Sequence, residues 1–282
     1  LSCIAAVVIL IFFVPYTASG FKAIGTLFNS LFGVDYHTTM IIGAAVVIGY
    51  TVLGGFLAVS TTDLIQSIIM TFALIFIVLF GIQQAGGWDL VASSLPGFLN
   101  MTQGYDAATG QASSYGGLSI VSTLAWGLGY FGMPHILLRF MAIEDDAKLK
   151  TSRRIATVWV VISMFIAILI GIVGLGVTQT GKIPFLGSSA EAETIIIRLS
   201  DLLSQHGVLF AIIAGVVLAG ILASTMSTAD SQLLAAASSM SHDLIQDFFG
   251  LKLSPKAAMH AARGTVIGIA IVAIFLAWDP NS

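Results

Sequence analysis

The sequence predicts an all-α polytopic membrane protein. Three observations carry that reading. Of 282 residues, 57% are hydrophobic and only 9% are charged, where a soluble domain carries about 25% charged residues. The mean hydropathy is +1.00. The apolar residues gather into runs that reach the roughly 20 residues a spanning helix needs, far beyond the 9–11 of a barrel strand and without its alternation. A net charge of −3 and one cysteine exclude a nucleic-acid binder and a secreted disulfide scaffold. The surrounding partner is the lipid bilayer.

Seven spans, designated A to G, are expected at about 1–19, 36–57, 63–85, 117–138, 155–178, 207–228 and 261–278. Span A opens on Leu1, already inside an apolar run, so the sequence is expected to be an internal piece of a longer chain. Lys22 to Phe32 are expected to continue along the membrane surface. A few residues around Val59 to Thr62 join B to C. A Gly/Ser/Asn/Thr-rich loop over 86–116, without Lys or Arg, joins C to D.

Span D is interrupted by Gly127, Gly129, Gly132 and Pro134, which weaken its backbone hydrogen-bond ladder. Trp126, Tyr130 and Pro134 are four apart and are expected on one face of it. Between E and F, Ile195, Ile196, Leu199, Leu202 and Leu203 have helical spacing, giving an amphipathic surface helix over 192–203. A shorter one is expected over 243–251.

Basic residues fix the orientation. Arg139, Lys148, Lys150, Arg153 and Arg154 lie in the D–E connection, and Lys252, Lys256 and Arg263 in F–G. Only Lys22, Lys182 and Arg198 lie elsewhere. Both basic connections are expected on the cytoplasmic side, with A running outward.

Ionisable groups within membrane spans are functional candidates, and two acids qualify. Asp63 follows Ser60-Thr61-Thr62, a pattern that also reads as a capping box opening span C. Asp230 sits in Ser224-Thr225-Met226-Ser227-Thr228-Ala229-Asp230-Ser231, at the edge of a face shared by Ser224, Ser227, Thr228, Ser231 and Ser238. Such oxygens suit a hard cation such as Na⁺. Two other readings stand beside it: a cap for a new helix at Ser227–Asp230, and close packing through small residues. The break in D reads either as a proline kink or as the discontinuous helix with which transporters bind substrate. No protease, hydrolase or P-loop motif is present, so an enzyme is not expected.

Three stretches resemble the sodium:solute symporter family, and most closely its sodium/proline symporters. They are Gly54-Gly55-Phe56-Leu57-Ala58-Val59-Ser60 with Thr62-Asp63, then Gly127-Leu128-Gly129-Tyr130-Phe131-Gly132 with Pro134-His135-Ile136 and Arg139-Phe140-Met141-Ala142, and Met226-Ser227-Thr228.

The resemblance implies a LeuT-type inverted-repeat fold, here incomplete. Residues 1–282 would form a single transmembrane transporter domain matching core helices three to nine. It further implies Na⁺ ligands at Ser227 and Thr228, the Ser224 carbonyl as another, and a second ion position from Asp63 with Asp230 and Ser231. Trp126, Tyr130 and Pro134 would line the substrate pocket, with Tyr16 also functional. The helix over 192–203 would resemble an outer lid.

The implied function is Na⁺-coupled import of a small amino acid, L-proline, across a bacterial plasma membrane, with Na⁺ as coupling ion and no organic cofactor. Met133 stands where proline symporters commonly carry glutamine, and Asp230 where many relatives carry a hydroxyl. A same-fold symporter for pantothenate, a sugar or another solute, and a sensory membrane domain, are the alternatives.

Overall fold

The computed structural model describes residues 2–93, 100, 102–105 and 111–280. Leu1 and much of the expected 86–116 loop (94–99, 101 and 106–110) lie outside the described residues. Helix α1 covers Ser2–Phe32, so Lys22 to Phe32 extend the first span instead of forming a separate surface segment. Helix α2 covers Tyr36–Gln84, with one non-helical residue, Gly55, at φ 59° and ψ −152°. At about 1.5 Å per residue, its 49 residues would reach more than twice the ~30 Å of a bilayer core. The Gly55 break therefore divides α2 into two membrane-length parts.

The break falls earlier than the sequence suggested. Ser60 to Asp63 are not a cap but lie inside the resumed helix. There Thr61 Oγ1 donates to the Leu57 carbonyl at 2.9 Å and Thr62 Oγ1 to the Ala58 carbonyl at 3.0 Å.

A short helix α3 (Trp88–Ser93) and a small antiparallel hairpin, β1 (Gln103–Tyr105) with β2 (Ala112–Ser114), follow. Helix α4 (Gly117–Gly129), a 3₁₀ turn (Tyr130–Gly132) and α5 (Pro134–Met141) occupy the place of span D. Asp145 caps α6 (Asp146–Gln179) by accepting from the Ala147 amide. Then come α7 (Ser189–Ala192), α8 (Ile195–Ser204) and α9 (Val208–Ser238). A π-helical segment, Ser239–Phe248, and α10 (Pro255–Leu276) end the described chain. Because α9 runs unbroken to Ser238, Ser227–Asp230 do not cap a new helix. Helices α1, α2, α6, α9 with its π extension, and α10 are long and apolar enough to cross a membrane.

The helices group into two compact units. The first comprises Leu1–Met70 and Ala219–Ser282, the second Thr71–Leu218. In the first, Phe21, Met40, Val47, Leu233 and Ala270 are wholly or almost wholly buried. Glycines bring its backbones together: a Cβ at Gly25 would stand 2.6 Å from the Tyr36 ring. The Tyr36 hydroxyl donates to the Ala277 carbonyl at 2.7 Å, and His37 packs on Trp278 with ring centroids 4.6 Å apart. The start of α2 and the end of α10 thus share one end of the unit, as alternating spans require.

The second unit centres on Ile77, Val173, Val177, Leu199, Leu203 and Val217. Trp159 Nε1 ties α6 to α2 by donating to Thr71 Oγ1 at 2.9 Å. Helix α8 buries Ile197, Leu199, Ser200 and Leu203, so its apolar face packs into this core.

Candidate functional site

In the first unit, α9 carries the polar ladder. Ser227 Oγ and Thr228 Oγ1 both donate to the Ser224 carbonyl, each at 3.1 Å. Ser231 Oγ donates to the Ser227 carbonyl at 2.9 Å. A helix in apolar surroundings favours this arrangement, because each hydroxyl finds an acceptor on the preceding turn. It also has a chemical result. The protons turn toward the helix backbone, and the lone pairs of neighbouring oxygens are left to face outward. That is a donor set for a hard cation. The Ser224 carbonyl, expected as a ligand, is the oxygen that collects both protons.

Asp230 is fully buried, and a carboxylate there needs hydrogen-bond partners. Tyr50, on the first part of α2, donates its hydroxyl to Asp230 Oδ2 at 2.6 Å, and Ser231 Oγ lies 3.2 Å from Oδ1. Asp63, on the second part of α2, is close enough for its charge to act on both Asp230 and Tyr50. The two acids singled out from sequence are therefore neighbours. Gln232, also fully buried, has no hydrogen-bond partner for either amide atom among the described residues.

Sequence reasoning missed Tyr50. A phenol in an apolar run must find a polar partner, but nothing local says that the partner is 180 residues away. Tyr50→Phe removes the donor that orients Asp230, a charge-assisted bond worth about 1.5–3 kcal/mol. It is expected to weaken about tenfold the affinity for any cation that the Asp230 oxygens hold. A double-mutant cycle with Asp230→Asn should be non-additive, and additive losses would show that the pair does not act together.

In the second unit, the expected single face of span D is broken. Helix α4 stops at Gly129, and Met133 is extended at φ −68° and ψ 109°. Pro134 then starts a new helix, where its missing N–H costs nothing. Trp126, on α4, and Tyr130, the first residue of the 3₁₀ turn, remain four residues apart, but Pro134 opens α5. Both aromatic residues are outward, with 73% and 55% of their surface exposed, and α4 buries no residue. Tyr16 belongs to the first unit, beside Pro15 in α1, and is 47% exposed. Ser224, Ser227, Thr228, Asp230, Ser231 and Asp63 thus all belong to the first unit, while Trp126 and Tyr130 mark a helix break in the second.

Comparison with known proteins gives the family and the fold. A sequence model of the sodium:solute symporter family matches residues 1–282. The chain is 40% identical over 283 residues to the high-affinity proline transporter PutP of Bacillus subtilis, covering 99% of this chain and 56% of that protein. It is 38% identical over 286 residues to the osmoregulated proline transporter OpuE of the same organism, covering all of this chain and 54% of the relative. A sodium/proline symporter of Staphylococcus aureus is 37% identical over 287 residues, with 52% of its length covered. The chain spans about half the length of these curated relatives. A solved substrate-bound, outward-open Na⁺-coupled sialic acid symporter superposes with a TM-score of 0.77 at 19% identity, over 97% of this chain and 57% of that one. That likeness gives the fold, LeuT-type over the shared part.

Proposed function

Because the chain belongs to the sodium:solute symporter family, a family of transporters and not of enzymes, we propose that it forms part of a Na⁺-coupled importer of L-proline. The full protein would sit in a bacterial plasma membrane, with the α5–α6 and α9–α10 connections cytoplasmic. The observation that carries the reading is the oxygen cluster on α9 with its buried acid, in a chain 37–40% identical to proteins named for proline transport.

Ser227 and Thr228 supply hydroxyl oxygens to the coupling ion, and Asp230, Ser231 and Asp63 supply a second polar position beside them. Trp126 and Tyr130 offer an aromatic face to the substrate at the interrupted helix, with Pro134 holding the break; Tyr16, on α1 of the first unit, is a functional residue of that unit by itself. A gradient drives uptake only if Na⁺ binds the substrate-competent state better than its alternative. Side chains shared among helices that rearrange between those states can supply that preference.

The deciding experiment is uptake of radiolabelled proline by the full-length protein in proteoliposomes, with and without an inward Na⁺ gradient. Uptake indifferent to Na⁺ would end the coupling claim. Uptake of pantothenate, a sugar or another solute in place of proline would end the substrate claim.

Two sets of variants refine it. Asp63→Asn and Asp230→Asn should each raise the Na⁺ needed for half-maximal uptake about tenfold, with little change in proline affinity at saturating Na⁺. Trp126→Ala and Tyr130→Ala should instead raise the proline requirement about tenfold, as expected when the saturated proline ring loses an apolar aromatic face worth about 25 cal/mol per Å² buried. Wild-type proline kinetics in both would remove the aromatic pair from the pocket.

A further inference from the structure

Arg263 stands about 12 Å along α10 from its first residue, Pro255. A guanidinium has five donors to satisfy. Among the described residues, none offers Arg263 a hydrogen bond or an ion pair within 4 Å. It lines instead a cavity of about 370 Å³ inside the first unit, between the first part of α2, the end of α9 and the start of α10.

The rest of the wall suits an anion with an apolar attachment. Thr51, only 1% exposed, has a hydroxyl without a partner among the described residues. Ser238 and Ser241 line it from the junction of α9 and the π-helical segment, with the Ser241 hydroxyl donating to the Ser238 carbonyl at 3.4 Å. Gly54 and Gly55 belong to the same wall, which places the start of the resumed α2 helix, the positive end of its dipole, beside the cavity. No Asp or Glu lines it. Leu53 and Met259 also line it, 79% and 47% exposed, so the polar wall continues into an apolar outer face.

We propose that this cavity binds a phosphate group through Arg263 and Thr51, carried by the headgroup of an anionic phospholipid or by a small phosphate monoester. The guanidinium fork matches phosphate oxygens bidentately. The Thr51 hydroxyl donates to a remaining oxygen, and the apolar outer face receives the glycerol backbone and first methylenes of a lipid. None of its lining residues is among those of the ion position proposed above.

The test is native mass spectrometry of the full-length protein in detergent. It is titrated separately with phosphatidylglycerol, phosphatidylcholine and glycerol 3-phosphate. The wild type is expected to retain phosphatidylglycerol at least about tenfold better than phosphatidylcholine. Arg263→Gln should lose that preference, and Thr51→Val should reduce it several-fold. Retention of glycerol 3-phosphate that depends on Arg263 would assign the site to a free monoester and support the same chemistry.

Equal retention of both lipids by the wild type, or undiminished phosphatidylglycerol binding in the variants, overturns the proposal. If Arg263→Gln does not fold, Arg263→Lys, which keeps the charge without the fork, and Thr51→Val decide the matter alone. Proline uptake in the same preparations separates the two claims. Uptake without Arg263-dependent binding overturns only this site, and binding without uptake overturns only the symport reading.

Discussion

Replacing Ser227 and Thr228 together with alanine is expected to raise the Na⁺ concentration for half-maximal proline uptake by at least about 100-fold in the full-length protein. Each hydroxyl donates to the Ser224 carbonyl and so presents lone pairs to a cation. Ligation of a charge by one such group is worth about 1.5–3 kcal/mol. Two lost ligands amount to about 3–6 kcal/mol, and every 1.4 kcal/mol is tenfold in affinity. Alanine is the best helix former, so α9 should persist, and a helix signal in circular dichroism equal to wild type verifies that. Unchanged Na⁺ dependence in a folded double variant would remove these hydroxyls from the ion site.

A second large effect is expected from Gly55→Val. Gly55 has φ 59° and ψ −152°, a region essentially reserved for glycine. An added Cβ would meet no atom within 4 Å, so the penalty belongs to the backbone alone and should reach about 3 kcal/mol. Gly264→Ala is the control. That glycine lies within α10, also with nothing within 4 Å of an added Cβ, and alanine there should be neutral or stabilising by up to about 1 kcal/mol. Thermal unfolding of the full-length variants compares the two. A Gly55→Val protein as stable as the control would contradict the break.

Those two positions also show what was legible in the sequence. The apolar runs announced membrane helices, and three glycines with a proline announced the interruption after Gly129, because both signals are local. The Gly55 break was placed four or more residues late. Ser60-Thr61-Thr62-Asp63 has the residue types of a cap, yet Thr61 and Thr62 return their hydroxyls to carbonyls of their own helix. Capping and back-bonding use the same side chains, and only the backbone angle at Gly55 separates them. The same ambiguity surrounded Ser227–Asp230, which the unbroken α9 resolves in favour of a helix interior.

Of the candidate cation position, the acids and hydroxyls could be found from their mismatch with apolar surroundings. Tyr50 could not be assigned to Asp230, since pairing across 180 residues depends on tertiary structure. Pro134 was misplaced for a different reason. Helical spacing puts it under Tyr130 only if the helix continues, and the extended Met133 ends it.

The bond from Tyr36 to Ala277 also bears on the order in which the protein is assembled. The second unit is contiguous, whereas the first is closed by residues from both ends of the chain, with 71–218 between them. At roughly 5–20 residues per second of synthesis, α1 and the first part of α2 wait on the order of 7–30 s before the segment beginning at Ala219 is made. During that interval Tyr50 has no Asp230 to bind and Tyr36 has no Ala277 carbonyl. The contiguous unit can form in that time from contacts nearer in sequence. Within residues 1–282, the unit that carries the candidate ion position is thus closed after the contiguous one, and until then its helices depend on lipid or on the insertion machinery for cover.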